Sequence, residues 1–365
     1  METILNTINN SNTNILNTTN DNNEVVRNED GTVVINGIRV NTTEEGDIVM
    51  DDALFKACGI DYDKSYSNII CSDETIFISE YTNEDMVRNS TITTIIGDVR
   101  IDTDITLPAL KNITGNAHIH KGANLPLLTN IGGNAYIDEY VELPVLTNIG
   151  GNAYIDEYVE LPVLTNIGGN AHIYEGVHLP VLMSIGGTAD IHKSAYLPAL
   201  MSTGSYANIH KGAYLPLLAN VGGNAYIDEY VELPALVHIG GDAFIHEGAD
   251  VPALVHIGGD ATVYEGANVP VLTHIGRYAN IGEYAYAPSL VHIGKSANIR
   301  EGADVPALVH IGGDADVYGG AYAPSLVHIG GWADIHARVN LPVLVHIGGR
   351  ARIREGAKVP SLVRK

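Results

Sequence analysis

Seven histidines recur at one spacing. His238, His256, His274, His292, His310, His328 and His346 stand eighteen residues apart. Imidazole titrates near neutral pH and is a common metal ligand, so the row offers metal capture, a pH-sensitive face or a ligand-binding stripe. Five glutamates share the spacing: Glu229, Glu247, Glu265, Glu283 and Glu301. A carboxylate row can bind cations or imitate the charge of a nucleic-acid backbone. Both rows also have a plainer origin. Duplication copies one tolerated surface residue, and a charge row is often a solvated corner. Copying is visible in NIGGNAYIDEYVELPVLT, which fills 130–147 and again 148–165. Neither row brings mixed ligands to one point, so no metal and no cofactor is expected. Catalysis needs one asymmetric, preorganised site, and seven equivalent imidazoles are not a unique base. Phosphate-loop, dinucleotide, Ser/His/Asp and zinc-finger patterns are absent from the sequence. The expectation is therefore not an enzyme.

Such rows need elements that repeat with the same period. The prolines show it: all fifteen fall on an eighteen-residue step from Pro108 to Pro360. Fourteen complete units run from Leu107 to Lys358 without insertion or deletion. Numbering slots from Leu107, slot one is Leu, Val or Ala, slot two Pro and slot four Leu. Slot seven is nearly always Ile, slots eight and nine mostly Gly-Gly, and slot eleven Ala. Slot thirteen is Ile or Val, and slot seventeen Ala or Val. The triplets Val237-His238-Ile239, Ala135-Tyr136-Ile137 and Ala249-Asp250-Val251 alternate apolar and polar, which predicts three short strands per unit with one face inward. Gly, Asn and Asp between them supply corner conformations. Pro and Gly-Gly in every unit rule out a helix. The pattern predicts an all-β solenoid, a parallel β-helix of about fourteen coils with a triangular section. Coils stacked at ~4.8 Å give a rod on the order of 65–70 Å long. ITTIIGDVRIDTDI, just before Leu107, reads as a degenerate extra unit, with Ile92, Ile95, Val99, Ile101 and Ile105 in apolar slots.

IGGDAF and IHEGAD place a small residue four positions after a large aliphatic one. This resembles the hexapeptide repeat of left-handed parallel β-helices, best known from bacterial acyltransferases. That resemblance implies a left-handed prism and, for an enzyme, a catalytic His in a cleft between coils, beside a loop excursion, with an acyl-CoA or acyl-carrier donor. No excursion interrupts the fourteen units. LPALVHIGGDAF also resembles BspA-type and receptor-L leucine-rich repeats, which implies a right-handed solenoid. Each resemblance covers about 250 residues. The hexapeptide pattern does not ask for the fixed Leu at slot four, and BspA-type units are longer than eighteen. The left-handed prism is favoured, with the leucine-rich solenoid as the alternative.

The rest of the chain differs in composition. Residues 1–23 are Asn- and Thr-rich and read as a disordered tail. Residues 24–88 read as a small α+β cap or attachment domain. It holds a hairpin at Asn36-Gly37, a short helix in DDALFKAC and a second hairpin in SNIICSDETIFISEY. The solenoid is assigned to 89–365. Arg350, Arg352, Arg354, Lys358, Arg364 and Lys365 make the final coil basic, which suits an end cap. The net charge is −23. This disfavours nucleic acid and anionic membranes as partners. Of the 43 acids, 18 precede residue 101, so much of the excess lies off the repeats. No apolar run reaches the ~20 residues of a membrane helix, and no secretory signal opens the chain. A cytoplasmic or virion-associated location is expected. The favoured role is a non-enzymatic scaffold, a rigid rod for protein or surface-glycan contact, with outward tyrosines such as Tyr136, Tyr140, Tyr226 and Tyr230 suited to such contacts. The alternatives are an acidic DNA mimic and, behind it, a hexapeptide-type acyltransferase.

Overall fold

The computed structural model describes residues 69–72, 75–79 and 91–362, together with four short strands between residues 15 and 40. The chain divides into two units, Met1–Asn68 and Ile69–Lys365. In the first, Ile15–Asn17, Glu24–Arg27, Val33–Ile35 and Ile38–Val40 form an antiparallel sheet in chain order. Ile35 pairs with Ile38, so the hairpin expected around Asn36-Gly37 is formed. Ile15–Asn17 lies within the stretch read as a disordered tail. The helix expected in DDALFKAC lies outside the described residues.

The second unit is a parallel β-solenoid with one rung per eighteen residues. Two sheets of sixteen strands each run its length. One consists of strands at slots six and seven, such as His238–Ile239, and the other of strands at slots eleven to thirteen, such as Ala243–Ile245. Each residue pairs with its equivalent one rung away, Ala135 with Ala153 and His292 with His310. The third side is narrower than expected. Slot eighteen forms single parallel bridges, as between Asp250 and Asn268, rather than a strand. Every regular element named among the described residues is a strand.

Both sheets begin before residue 89. Ile69–Cys71 and Ile76–Ile78, expected as a hairpin, instead pair in parallel with Thr94–Ile96 and Val99–Ile101. Their alternation was legible, but a hairpin and two stacked sides of a coil share it. The degenerate unit is a true rung, since Ile92, Ile95, Val99, Ile101 and Ile105 are all buried.

The interior is a set of aliphatic ladders from slots one, four, seven, eleven, thirteen and seventeen, as in Leu233, Leu236, Ile239, Ala243, Ile245 and Ala249. Each large buried side chain contributes roughly 1.5–3 kcal/mol. One inward residue was misplaced by alternation. Val237 is 44% exposed, and the fully buried Leu236 before it takes the interior position. The cause is a bulge-like irregularity: the N–H groups of Val255 and His256 both donate to the Val237 carbonyl, at 2.9 and 3.4 Å. Two residues then face one, and the first turns outward.

The three corners are built differently. At slots one to four the Leu128 N–H donates to the Leu125 carbonyl at 3.1 Å, with Pro126 at the second turn position, where its fixed φ fits and no N–H is needed. At slots fourteen to seventeen the third turn residue has positive φ, from 55° at Tyr284 to 87° at Gly356. Here glycine is favoured because L side chains crowd the backbone. The Gly-Gly corner has another reason. A Cβ on Gly150 would lie 2.3 Å from the Gly132 carbonyl oxygen, so the pair allows consecutive backbones to touch. At the final coil Arg354 binds both carboxylate oxygens of the buried Asp334, at 2.9 and 2.6 Å. This holds that carboxyl below its ordinary range.

Candidate functional site

The seven histidines share one face. Each occupies the first position of a two-residue strand whose second residue points into the core, so the imidazole projects outward. Ring centroids are 5.3 Å apart for His238 and His256, and 4.8, 4.6 and 4.4 Å along His292, His310, His328 and His346. These pairs are stacked within 13° of parallel. The stack breaks at His274, whose ring tilts 43–44° from both neighbours. The local cause is Thr273, where the other six rungs of the row carry Val. Its hydroxyl donates to the Val255 carbonyl at 3.1 Å and accepts from His274 Nδ1 at 2.9 Å, swinging the ring aside.

Partial burial pushes the His256, His310 and His328 imidazoles below the ordinary 6.5, and neighbouring imidazoles add to the shift. Charging one ring makes charging the next harder. In earlier rungs asparagines occupy the same slot and pass amide hydrogen bonds along the stack, Asn130 to Asn112 at 3.0 Å and Asn148 to Asn130 at 2.8 Å.

The histidine row does not stand alone. Exposed side chains at slots three and five flank it, including Val237, Val255, Val271, Val291, Val309 and Val343. Together with the Pro row they form a largely apolar strip, interrupted along the histidine rungs by Thr273, Ser289 and Ser325. Across slots two, three, five and six of the complete units, Lys111 is the sole side chain with a permanent charge.

The glutamates lie elsewhere. Glu229, Glu247, Glu265, Glu283 and Glu301 are exposed at the positive-φ corner, between the other two ladders and across the rung from the histidines. Tyr230 donates its hydroxyl to Glu247 at 3.2 Å, and Lys211 stands 3.9 Å from Glu229. The two rows are therefore separate surfaces. The outward tyrosines form stacks, with Tyr136 and Tyr154 at 4.6 Å and 2°.

Reading the sequence missed two constellations. At slot ten, Asn or Asp side chains accept from the slot-ten N–H of the next rung, Asn116 from Asn134 and Asn134 from Asn152, each at 2.7 Å. The recurrence of Asn and Asp there was the signal. On the sheet of slots eleven to thirteen, histidines and aspartates at slots twelve and fourteen cluster around Asp138, Asp190 and Asp334. Spacings such as Asp190-Ile191-His192 carried that signal, since residues two apart on a strand share a face. Compared with known protein families, curated proteins and solved structures, the chain matches none.

Proposed function

We propose that this chain is a non-enzymatic structural rod that associates through its nearly uncharged face at slots two, three, five and six, Pro/Val/His in the last seven rungs and richer in Asn, Ser and Thr before them, the occupant of that face being the same face of a second copy. The observation that carries the reading is the strip itself: it runs along an otherwise acidic chain and almost lacks charge. Two copies repel through their carboxylates, and this face is where they approach at least cost. Fourteen rungs at ~4.8 Å, each presenting about five residues at ~3.3 Å, offer on the order of 1,000 Å² per copy. A standard stable interface uses about 800 Å² per partner. An isologous pairing also needs no feature beyond the repeat, because every complete rung presents Pro at slot two and, Lys111 apart, no permanent charge at slots three, five and six. Kinship with hexapeptide-type β-helices is supported on two sides of the rung, where Ile239 with Ala243 and Ile245 with Ala249 all face inward. On the third side Leu236 replaces the expected pattern.

Sedimentation of the full chain tests the reading. Dimers are expected at neutral pH in the micromolar range, with dissociation in Val291→Glu/Val309→Glu, whose side chains are exposed and whose fold should persist. A chain that stays monomeric throughout that range, or a dimer indifferent to both substitutions, overturns it. Acyl-CoA turnover by the purified protein would overturn the non-enzymatic part.

A further inference from the structure

The most pointed chemistry outside the histidine row lies on the other sheet. Asp190 sits on the strand Ala189–Ile191, and His192 follows two residues on, so both side chains project outward. His210 occupies the same slot as His192, one rung along. One donor atom from each of Asp190, His192 and His210 lies within 4.8 Å of the others. His210 Nε2 is 3.2 Å from Asp190 Oδ1, and His192 Nε2 is 3.5 Å from Oδ2. His172, one rung before, places Nδ1 3.4 Å from the same Oδ2. Three imidazoles on three consecutive rungs thus surround one carboxylate.

The hydrogen bonding at this point does not close. Asn208 Nδ2 is 2.9 Å from Asp190 Oδ1 and also 2.9 Å from His210 Nε2. Carboxylate oxygen only accepts, so the amide nitrogen must face it. If His210 Nε2 carries a lone pair, the amide donates to it, and Nε2 then meets Oδ1 as a second acceptor at 3.2 Å. If Nε2 carries a proton, two N–H groups confront each other at 2.9 Å. Either tautomer leaves one repulsive contact. A cation held between Nε2 and Oδ1 takes the Nε2 lone pair and removes the clash of acceptors, leaving the Asn208 amide to donate to Oδ1. The separations suit such an ion: bonds of about 2.0–2.1 Å in a tetrahedral site put neighbouring donors about 3.3 Å apart.

We propose that Asp190, His192 and His210 bind a zinc-like divalent cation, with His172 beside the second carboxylate oxygen as a further donor. Imidazole nitrogen with one carboxylate is a donor set that suits zinc. Asp228 Oδ2 lies 3.9 Å from His210 Nδ1, where a carboxylate favours the tautomer that leaves Nε2 free. The neighbouring turn lysines are engaged, Lys193 with Glu175 and Lys211 with Glu229. The two related clusters differ. Around Asp334 the carboxylate is already held by Arg354. At His118, His120 and Asp138, His120 Nδ1 makes an ordinary 2.9 Å hydrogen bond to Asp138, and the Arg100 charge acts on His118. The ion would staple consecutive rungs, whichever partner the rod holds.

The full chain, stripped with chelator, is titrated with Zn²⁺ by calorimetry and with Co²⁺ by visible absorption. One ion per chain is expected, with the intense bands of tetrahedral cobalt and a Tm raised by Zn²⁺. His210→Gln and the near-isosteric Asp190→Asn should each weaken binding about tenfold or more and abolish the Tm rise. His292→Gln, in the histidine row, should leave both unchanged. Melting of each metal-free variant checks that it folds. Absence of uptake, uptake that survives both substitutions in folded protein, or uptake that moves with His292→Gln overturns the proposal.

Discussion

Single residues here act through their copies one rung away. Asn134 accepts from the Asn152 N–H at 2.7 Å, at a corner where two backbones are in contact. Asn134→Ala strands that part-buried N–H, and a loss of about 1–2 kcal/mol is expected, measurable by chemical denaturation. Thr203 makes the opposite case. It occupies the slot that holds Ile in most rungs, is 2% exposed, and its hydroxyl is buried without a partner. Thr203→Val removes that desolvated group while keeping the shape, and a gain of about 1 kcal/mol is expected in the same assay. A destabilised variant would mean that the hydroxyl has a partner after all. The sequence marked Thr203 as an exception to the Ile pattern. It could not show that the hydroxyl is unsatisfied, because that depends on what the rungs above and below present.

At the level of the element, the histidine strand row couples folding to pH. The folded-state imidazoles of His256, His310 and His328 titrate below the ordinary 6.5, so between those values the unfolded chain binds more protons than the folded one. Stability is then complete above about pH 6.5 and falls as the pH drops through the folded values. Tm measured from pH 7.5 down to 5.5 should decline, and decline less when His310 and His328 are replaced by Asn, the residue that fills this slot in earlier rungs. A flat profile would refute the coupling. The row's alignment was legible in the sequence, since an unbroken eighteen-residue period admits one register. The exposed Val row beside it was not. Alternation placed Val237 inward, and a bulge shared by successive rungs turned it out. Periodicity reports spacing along a strand, whereas a bulge depends on which carbonyl two amides choose.

For the whole molecule, the solenoid was legible from Pro108 onward because proline, buried Leu and Gly-Gly recur without slippage, and one degenerate rung before it was legible from the apolar slots at Ile92, Ile95, Val99, Ile101 and Ile105. Its beginning was not. Ile69–Cys71 and Ile76–Ile78 belong to the stack, yet Ile69 pairs with Thr94 and Ile76 with Val99, outside the eighteen-residue step. A rung that breaks the period is invisible to a search for the period. Within the regular part each rung contacts chiefly its neighbours, so whole rungs should be removable. Deleting residues 148–165, the second of two identical copies, should leave a cooperatively melting β-protein of unchanged circular dichroism per residue. Deleting 148–156 alone should abolish cooperative melting, because it brings corner residues onto ladder positions. A half-rung deletion that melts normally would contradict the one-rung register.

The register between equivalent residues also gives the chain a property of a measuring device. Its reach changes in whole increments of about 4.8 Å, one for every eighteen amino acids gained or lost. Copying a stretch such as 130–147 would lengthen the tool by one graduation without altering any mark already on it.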